Sequence, residues 1–484
     1  MVLKKINDFK GVLYCIGILS FIVGLILLLP LLILPFYPDE VKYIFDFIIP
    51  SLISILLGCI LNKISKHNKE TTLSVGEDAL IVVLGWILAT VLCAIPFILG
   101  QKLNFTQAFF ESVSGWTTTG LSVINVESTP NIFLIFRSIM QFFGGVGIIL
   151  VMLSALSSLF GMSLYNSEGH TDKLLPNLVK SSRIIISMYL GYIISGTILY
   201  VLFGMPLFDA INHAIGSLST GGFSVKSESI GFYNNVHIEL ITIILMILGT
   251  TSFATHLLII NGKFKKVIKI GEIRFMFLIL GIAIPLVAFI SLRYIYSDIN
   301  KLIRVSVFET VSALSTTGYS TVSYNRWPSF AIFIMIILML IGGGSGSTSG
   351  GIKLYRVYLI LKQIFWNIKR RLLPEHMVYS NYVYKPEGKH FINKENMMEV
   401  YNYITLYLFI FIFGVGVMLA YNYPLEDAMF EFSSALGTVG LSIGITSASA
   451  PPIVLWTEII GMLFGRLEIV VILIAIVKII KGFK

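Results

Sequence analysis

The sequence predicts an all-α polytopic membrane protein: four parallel repeats of span, re-entrant helix and span around a pseudo-four-fold axis, preceded by two extra N-terminal transmembrane helices. Three observations predict it. The 484 residues are 56% hydrophobic and only 13% charged, about half the charge of a typical soluble domain. Apolar runs long enough to cross about 30 Å of hydrocarbon recur from end to end, and the main polar stretch runs only from about Lys369 to Glu399. The pattern Thr-x-Gly-(apolar or aromatic)-Ser occurs four times, at Thr118–Ser122, Thr220–Ser224, Thr316–Ser320 and Thr438–Ser442, with steps of 102, 96 and 122 residues between its glycines.

The first element is an apolar run over about 12–36, after Met-Val-Leu-Lys-Lys. It is too long for the core of a signal peptide and lacks a small-residue cleavage site, so it reads as a span. A second span is expected at 44–62, after the acidic turn Tyr37-Pro38-Asp39-Glu40. The four repeats then place spans near 78–100 and 132–160, 184–204 and 238–261, 275–297 and 328–368, and 400–421 and 453–480, ten in all. The corresponding units are 1–70 for the N-terminal pair and 71–170, 171–265, 266–395 and 396–484 for the repeats.

Charge sets the orientation. Segments 1–10, 63–77, 161–183, 262–274, 352–398 and 478–484 hold 26 of the 35 Lys and Arg. They all fall on one side, which the positive-inside rule makes cytoplasmic, together with both termini. All four Thr-x-Gly motifs then lie toward the outer face in the same orientation, unlike the inverted repeats of many secondary transporters. This distribution also argues against nucleic-acid binding as the cause of the net charge of +9. Cys15, Cys59 and Cys93 fall inside expected spans, without the spacing of a zinc site or a disulfide framework.

The motifs suggest a chemistry. Irregular backbone at membrane depth is tolerated where it is buried in protein or lines water. Four such segments meeting on an axis can make a ring of carbonyl oxygens that replaces the water around a cation. Glycine allows the backbone angles this needs. Aligned on Gly120, Gly222, Gly318 and Gly440, the residue nine positions earlier is Glu111, His213, Glu309 and Glu431, preceded by Phe110, Asn212, Phe308 and Phe430. The second repeat therefore departs at His213, and again at Gly221. The re-entrant helices are then pore helices, with their partly negative C-termini facing the axis.

Two further features lie away from the motifs. Gly342, Gly343, Gly344, Gly346, Gly350 and Gly351 interrupt an apolar run and should break its helix; the segment lacks the Gly-Lys-Ser/Thr ending of a nucleotide-binding loop. Arg466 lies in Gly465-Arg466-Leu467-Glu468 inside an apolar span, where an ionisable residue is a functional candidate. Arg466 and Glu468, two apart, do not share a helix face. Gln141 and the run Gly144-Gly145-Val146-Gly147 read as helix packing, and His256 as a core histidine.

These residues resemble those of the Trk/Ktr/HKT superfamily of potassium transporters, whose members are similar to four fused potassium-channel subunits. Thr438-Val439-Gly440-Leu441 is close to the channel signature Thr-Val-Gly-Tyr, and the likeness runs along the whole chain. The two extra N-terminal spans point to the TrkH-type branch. The resemblance implies a potassium filter of Thr118, Thr119, Gly120, Thr220, Gly221, Gly222, Thr316, Thr317, Gly318, Thr438, Val439 and Gly440. Some plant members with Ser at the first filter glycine are associated with sodium transport; all four are Gly here. It further implies an intramembrane gating loop at Gly342–Gly351, and Arg466 near the pore below the filter. Also implied are potassium as the only ion and no organic cofactor, a homodimer, a cytosolic nucleotide-binding regulatory subunit of the TrkA type, surrounding membrane lipid, and a plasma (inner) membrane location. A transporter coupled to sodium or protons is the alternative; the residues show no clear second ion site. No covalent chemistry is called for, so an enzyme is not expected.

Overall fold

The computed structural model describes residues 10–65, 76–147, 151, 178–372, 374 and 380–480. The chain is a polytopic helical membrane protein, and the helices follow the apolar runs. The N-terminal pair is α1 (Lys10–Leu28) and α2 (Ile44–Ser65). They pack closely through small residues: Ser20 and Ser54 each donate to the other's backbone carbonyl, at 2.7 and 2.6 Å, and Ser51 donates to Gly24 O at 2.7 Å. Small residues let helix backbones approach where lipid offers no hydrophobic drive.

The first repeat contains α3 (Glu77–Gly100), the re-entrant α4 (Phe105–Trp116) and α5 (Asn131–Val146). The acidic turn before α2 has a specific task. Glu40 accepts from the N–H groups of Asn131 and Ile132 at 2.8 and 2.7 Å, so a carboxylate caps the start of α5 where the helix leaves N–H groups unpaired. Of the expected span 132–160, α5 covers the part to Val146 and Val151 is again helical, while residues 148–150 and 152–160 lie outside the described residues.

The second repeat contains α6 (Leu178–Leu202), the re-entrant α7 (Leu207–Leu218), α8 (Val236–Gly249) and α9 (Phe253–Ile260); a short α10 (Phe264–Val267) follows. The third contains α11 (Gly271–Pro285), extended by irregular helical turns to Tyr294, the re-entrant α12 (Ile299–Ser315), α13 (Ser329–Ile341) and α14 (Leu354–Leu372). A hairpin of β1 (Tyr382–Lys385) and β2 (Gly388–Phe391) pairs Tyr382 with Phe391 and Lys385 with Gly388. The fourth contains α15 (Lys394–Ala420), the re-entrant α16 (Leu425–Leu436), α17 (Pro452–Arg466) and α18 (Ile469–Ile480).

Among the described residues, six helical stretches are long and apolar enough to cross a membrane. The other expected spans are two shorter apolar helices, α5 and α13, and two bent pairs. The expectation of single spans over 238–261 and 453–480 is therefore corrected: α8 and α9 meet at 112°, and α17 and α18 at 104°. The first bend follows from the hydroxyl run Thr250-Thr251-Ser252. Ser252 accepts from Thr255 N and starts a new helix, while Thr250 O accepts from Gly344 N at 3.0 Å in another repeat. At the second bend Glu468 takes a left-handed backbone, φ 60°, and Arg356 donates to its carboxylate at 2.6 Å. The hairpin was missed in sequence, although Pro386-Glu387-Gly388 between Tyr-Val-Tyr-Lys and Lys-His-Phe is a turn signal.

Candidate functional site

Each re-entrant helix ends in the same strained turn. Thr118, Thr220, Thr316 and Thr438 have φ of 55, 52, 56 and 50°. A left-handed backbone on a β-branched residue costs on the order of 1–3 kcal/mol and survives only where the surroundings impose it. Two residues later Gly120, Gly222, Gly318 and Gly440 have φ of 95, 70, 81 and 97°. The chain thus reverses identically four times.

The four reversals close a ring. A side chain on Gly120 would strike the carbonyl of Gly221; on Gly222, that of Thr317; on Gly318, that of Val439; and on Gly440, that of Thr119. Each repeat's glycine backs onto the next repeat's carbonyl, and the fourth returns to the first. All twelve expected filter residues lie in this ring or its inner rim. On one side of it opens a cavity of about 570 Å³, lined by the four glycines and by Ser122, Ser224, Ser320 and Ser442.

The residues nine before each glycine are staples. Glu111 accepts from Ser122 Oγ and Val123 N at 3.0 and 3.1 Å. Glu309 accepts from Thr321 N at 2.7 Å and from the Tyr324 hydroxyl. Glu431 accepts from Ser442 Oγ, Ile443 N and Thr446 N at 2.7, 2.9 and 3.0 Å. His213 does the same work with one ring nitrogen, Nε2, 3.1 Å from Ser224 Oγ. Each ties its re-entrant helix to the extended chain beyond the Thr-x-Gly turn.

The opposite side of the ring is closed by the glycine-rich segment between α13 and α14. Gly350 N donates to Thr316 Oγ1 at 2.8 Å, and Thr348 Oγ1 lies 3.1 Å from Thr220 Oγ1. Gly350 also backs against Thr438. The segment therefore touches the inner threonines of three repeats. Gly342 and Gly351 pack against each other with φ of 71 and 76°, which pinches the loop at its neck. Arg466 fastens it: its guanidinium donates to Thr348 O at 2.5 Å and to Gly144 O and Gly145 O at 2.5 and 3.1 Å. Arg466 and the loop are brought together, and Gly144 and Gly145 expose the carbonyls that receive it.

The TrkH family model, described as a cation transport protein, matches residues 44–482. The chain belongs to the TrkH family. Its relatives in that family span nearly its whole length. It is 31% identical to an uncharacterized cation transporter of Methanocaldococcus jannaschii, over 97% of this chain and 95% of that one. It is 32% identical to the Trk system potassium uptake protein TrkG of Escherichia coli strain K12, over 96% and 97%. The crystal structure of the potassium transporter TrkH from Vibrio parahaemolyticus superposes with a TM-score of 0.84, at 27% identity, covering 96% of this chain and 98% of that one.

Within this TrkH-family ring the second repeat is the odd member, and α5 explains why. Ser138 donates to Asn212 Oδ1 at 2.6 Å, and Arg137 to Ser224 O at 3.2 Å. Gln141 reaches the backbone of the second Thr-x-Gly segment itself, so it does more than pack helices. Arg137 was missed in sequence. It is 2% exposed, donates to Glu111 at 2.8 Å and stacks 3.8 Å from the Phe223 ring centroid. The signal was available: an arginine in an apolar helix is as unusual at 137 as at 466. His256 is a core histidine, with Nε2 2.9 Å from Leu248 O.

Proposed function

We propose that this chain is a potassium-uptake protein of the plasma (inner) membrane, with one pore per chain and both termini cytoplasmic. The closed ring of four Thr-x-Gly segments carries the reading, because each segment presents a backbone oxygen beside its neighbour's glycine. A ring of carbonyl and hydroxyl oxygens is what a cation needs in place of its hydration shell. The buried hydroxyls of Thr118 and Thr438 have no hydrogen-bond partner among the described residues, leaving both oxygens to an ion. Relatives named as potassium uptake proteins support the choice of ion, as does glycine at all four filter positions.

The loop from Gly342 to Gly351, with Arg466 holding it, is the gate. In this arrangement it lies across the inner end of the ring, and a guanidinium beside the path repels a cation. Opening requires Arg466 to release Thr348 and the loop to withdraw from the inner threonines. The membrane potential then drives uptake, contributing about 2.3 kcal/mol per charge per 100 mV. Two chains form a homodimer, and a cytosolic nucleotide-binding subunit of the TrkA type acts on the loop from the cytoplasmic side.

Flux measurements on protein reconstituted in liposomes test this. Uptake that follows only the potassium gradient and voltage is expected; uptake driven by a sodium or proton gradient at zero potential would establish the coupled alternative instead. Gly318→Ser is expected to lower the potassium-to-sodium flux ratio. An unchanged ratio in folded protein would remove the filter assignment.

A further inference from the structure

Thr119, Gly221, Thr317 and Val439 each set their carbonyl oxygen against the next glycine of the ring. Three of these oxygens are treated alike. Among the described residues, no N–H or O–H group donates to the oxygen of Thr119, Thr317 or Val439. The fourth is different. Gln141 Nε2 donates to Gly221 O at 2.5 Å, and Phe223 N donates back to Gln141 Oε1 at 3.3 Å. One buried side-chain amide thus brackets the filter backbone on both sides of Gly222.

The departure at Gly221 now has a physical cause. A Cβ there would lie 2.7 Å from both the nitrogen and the oxygen of the Gln141 amide. The Thr or Val found at this place in the other repeats would push the amide away. Gly221 and Gln141 are therefore one device, contributed by two repeats.

We propose that Gln141 is a positioning residue that sets ion selectivity by engaging the Gly221 carbonyl. This inference rests on the filter reading above. A carbonyl that already accepts a hydrogen bond in a low-dielectric site has part of its lone-pair density committed. It offers a cation a weaker field than its three free counterparts, and selectivity depends on the number and field strength of the coordinating dipoles. A weaker field repays the dehydration of a large, weakly hydrated cation better than that of a small, strongly hydrated one. The amide also fixes the spacing of the segment, because it holds Gly221 and Phe223 together.

The test uses the full-length protein in liposomes, with potassium and sodium fluxes and the melting temperature measured on each variant. Gln141→Leu removes the donor at similar volume, and Gly221→Ala displaces the amide. Each should lower the potassium-to-sodium flux ratio by about fivefold, the size of one lost hydrogen bond. The double variant should lower it no further, because both changes break one contact. A Gln141→Leu protein that melts like the parent and keeps its ratio overturns the inference, as do additive effects of the two changes. Should Gln141→Leu not fold, Gln141→Met and Gly221→Ala carry the same test, and an unchanged ratio in either overturns it. Gly318→Ser separates the two readings. If it lowers the ratio while Gln141→Leu does not, only the role of Gln141 falls; if it leaves the ratio unchanged, the filter reading falls and this inference with it.

Discussion

The hydroxyl of Tyr319 stands where Gly216 has no side chain. In the first and third repeats the residue six before the motif glycine is a serine, and Ser114 Oγ and Ser312 Oγ donate to Leu121 O and Tyr319 O, both at 2.6 Å. The second repeat has Gly216 at that position. Its corresponding carbonyl, that of Phe223, accepts instead from Tyr319 Oη at 3.0 Å. A Cβ on Gly216 would run into the tyrosine hydroxyl. A residue of the third repeat therefore completes the hydrogen bonding of the second.

Tyr319→Phe should accordingly destabilise the protein by about 1–3 kcal/mol, because it strands a buried carbonyl. Gly216→Ser alone should also destabilise, by collision with the hydroxyl. Combined, they should recover most of the loss, since the new serine can donate to Phe223 O as Ser114 does to Leu121 O. Thermal melting in detergent reads all three. A Tyr319→Phe protein that melts like the parent would show that the hydroxyl does no such work.

The unpartnered hydroxyls of Thr118 and Thr438 separate stability from ion binding. Thr→Val keeps the shape and removes only the oxygen. With no protein partner to strand among the described residues, Thr438→Val should leave the melting temperature unchanged or slightly raised. The potassium concentration for half-maximal uptake should rise at the same time. If that concentration stays the same in both Thr118→Val and Thr438→Val, these hydroxyls do not meet the ion.

Arg466 makes charge-assisted hydrogen bonds to three carbonyls that join the loop to α5. Removing them should favour the open loop. Arg466→Ala is expected to raise potassium flux by about tenfold, the effect of about 1.4 kcal/mol on the gating equilibrium. Arg466→Lys keeps the charge but not the fork and should fall between. Flux at or below the parent level in well-folded Arg466→Ala would contradict the latch.

Much of the site was legible because it is encoded locally. The four reversals need glycine at a positive φ, and glycine recurs there with Thr two residues before it. The nine-residue offset of Glu111, Glu309 and Glu431 reflects the length of a short helix and its return, so the staple positions could be aligned before their partners were known. The bends at 250–252 and 467–468 were not legible. Both sit inside apolar runs that look continuous, and both depend on groups far away in sequence: Gly344 for Thr250, and Arg356 for Glu468. The irregularity of the second repeat was visible at His213 and Gly221 without an explanation, because the compensating groups, Ser138, Gln141 and Tyr319, belong to other repeats.

The sequence by itself determined that this chain lives in a membrane, that it repeats four times in one orientation, and where its backbone reverses. Those properties follow from hydropathy, charge placement and glycine's conformational range, which act over a few residues or a single span. Only the tertiary structure decided that the reversals close into a ring, that the glycine-rich loop and Arg466 lie beneath it, and that one of its four carbonyls is held by Gln141. These are contacts between residues 34 to more than 300 positions apart. They exist because helices pack side by side, and no local preference specifies which oxygen a distant side chain will meet.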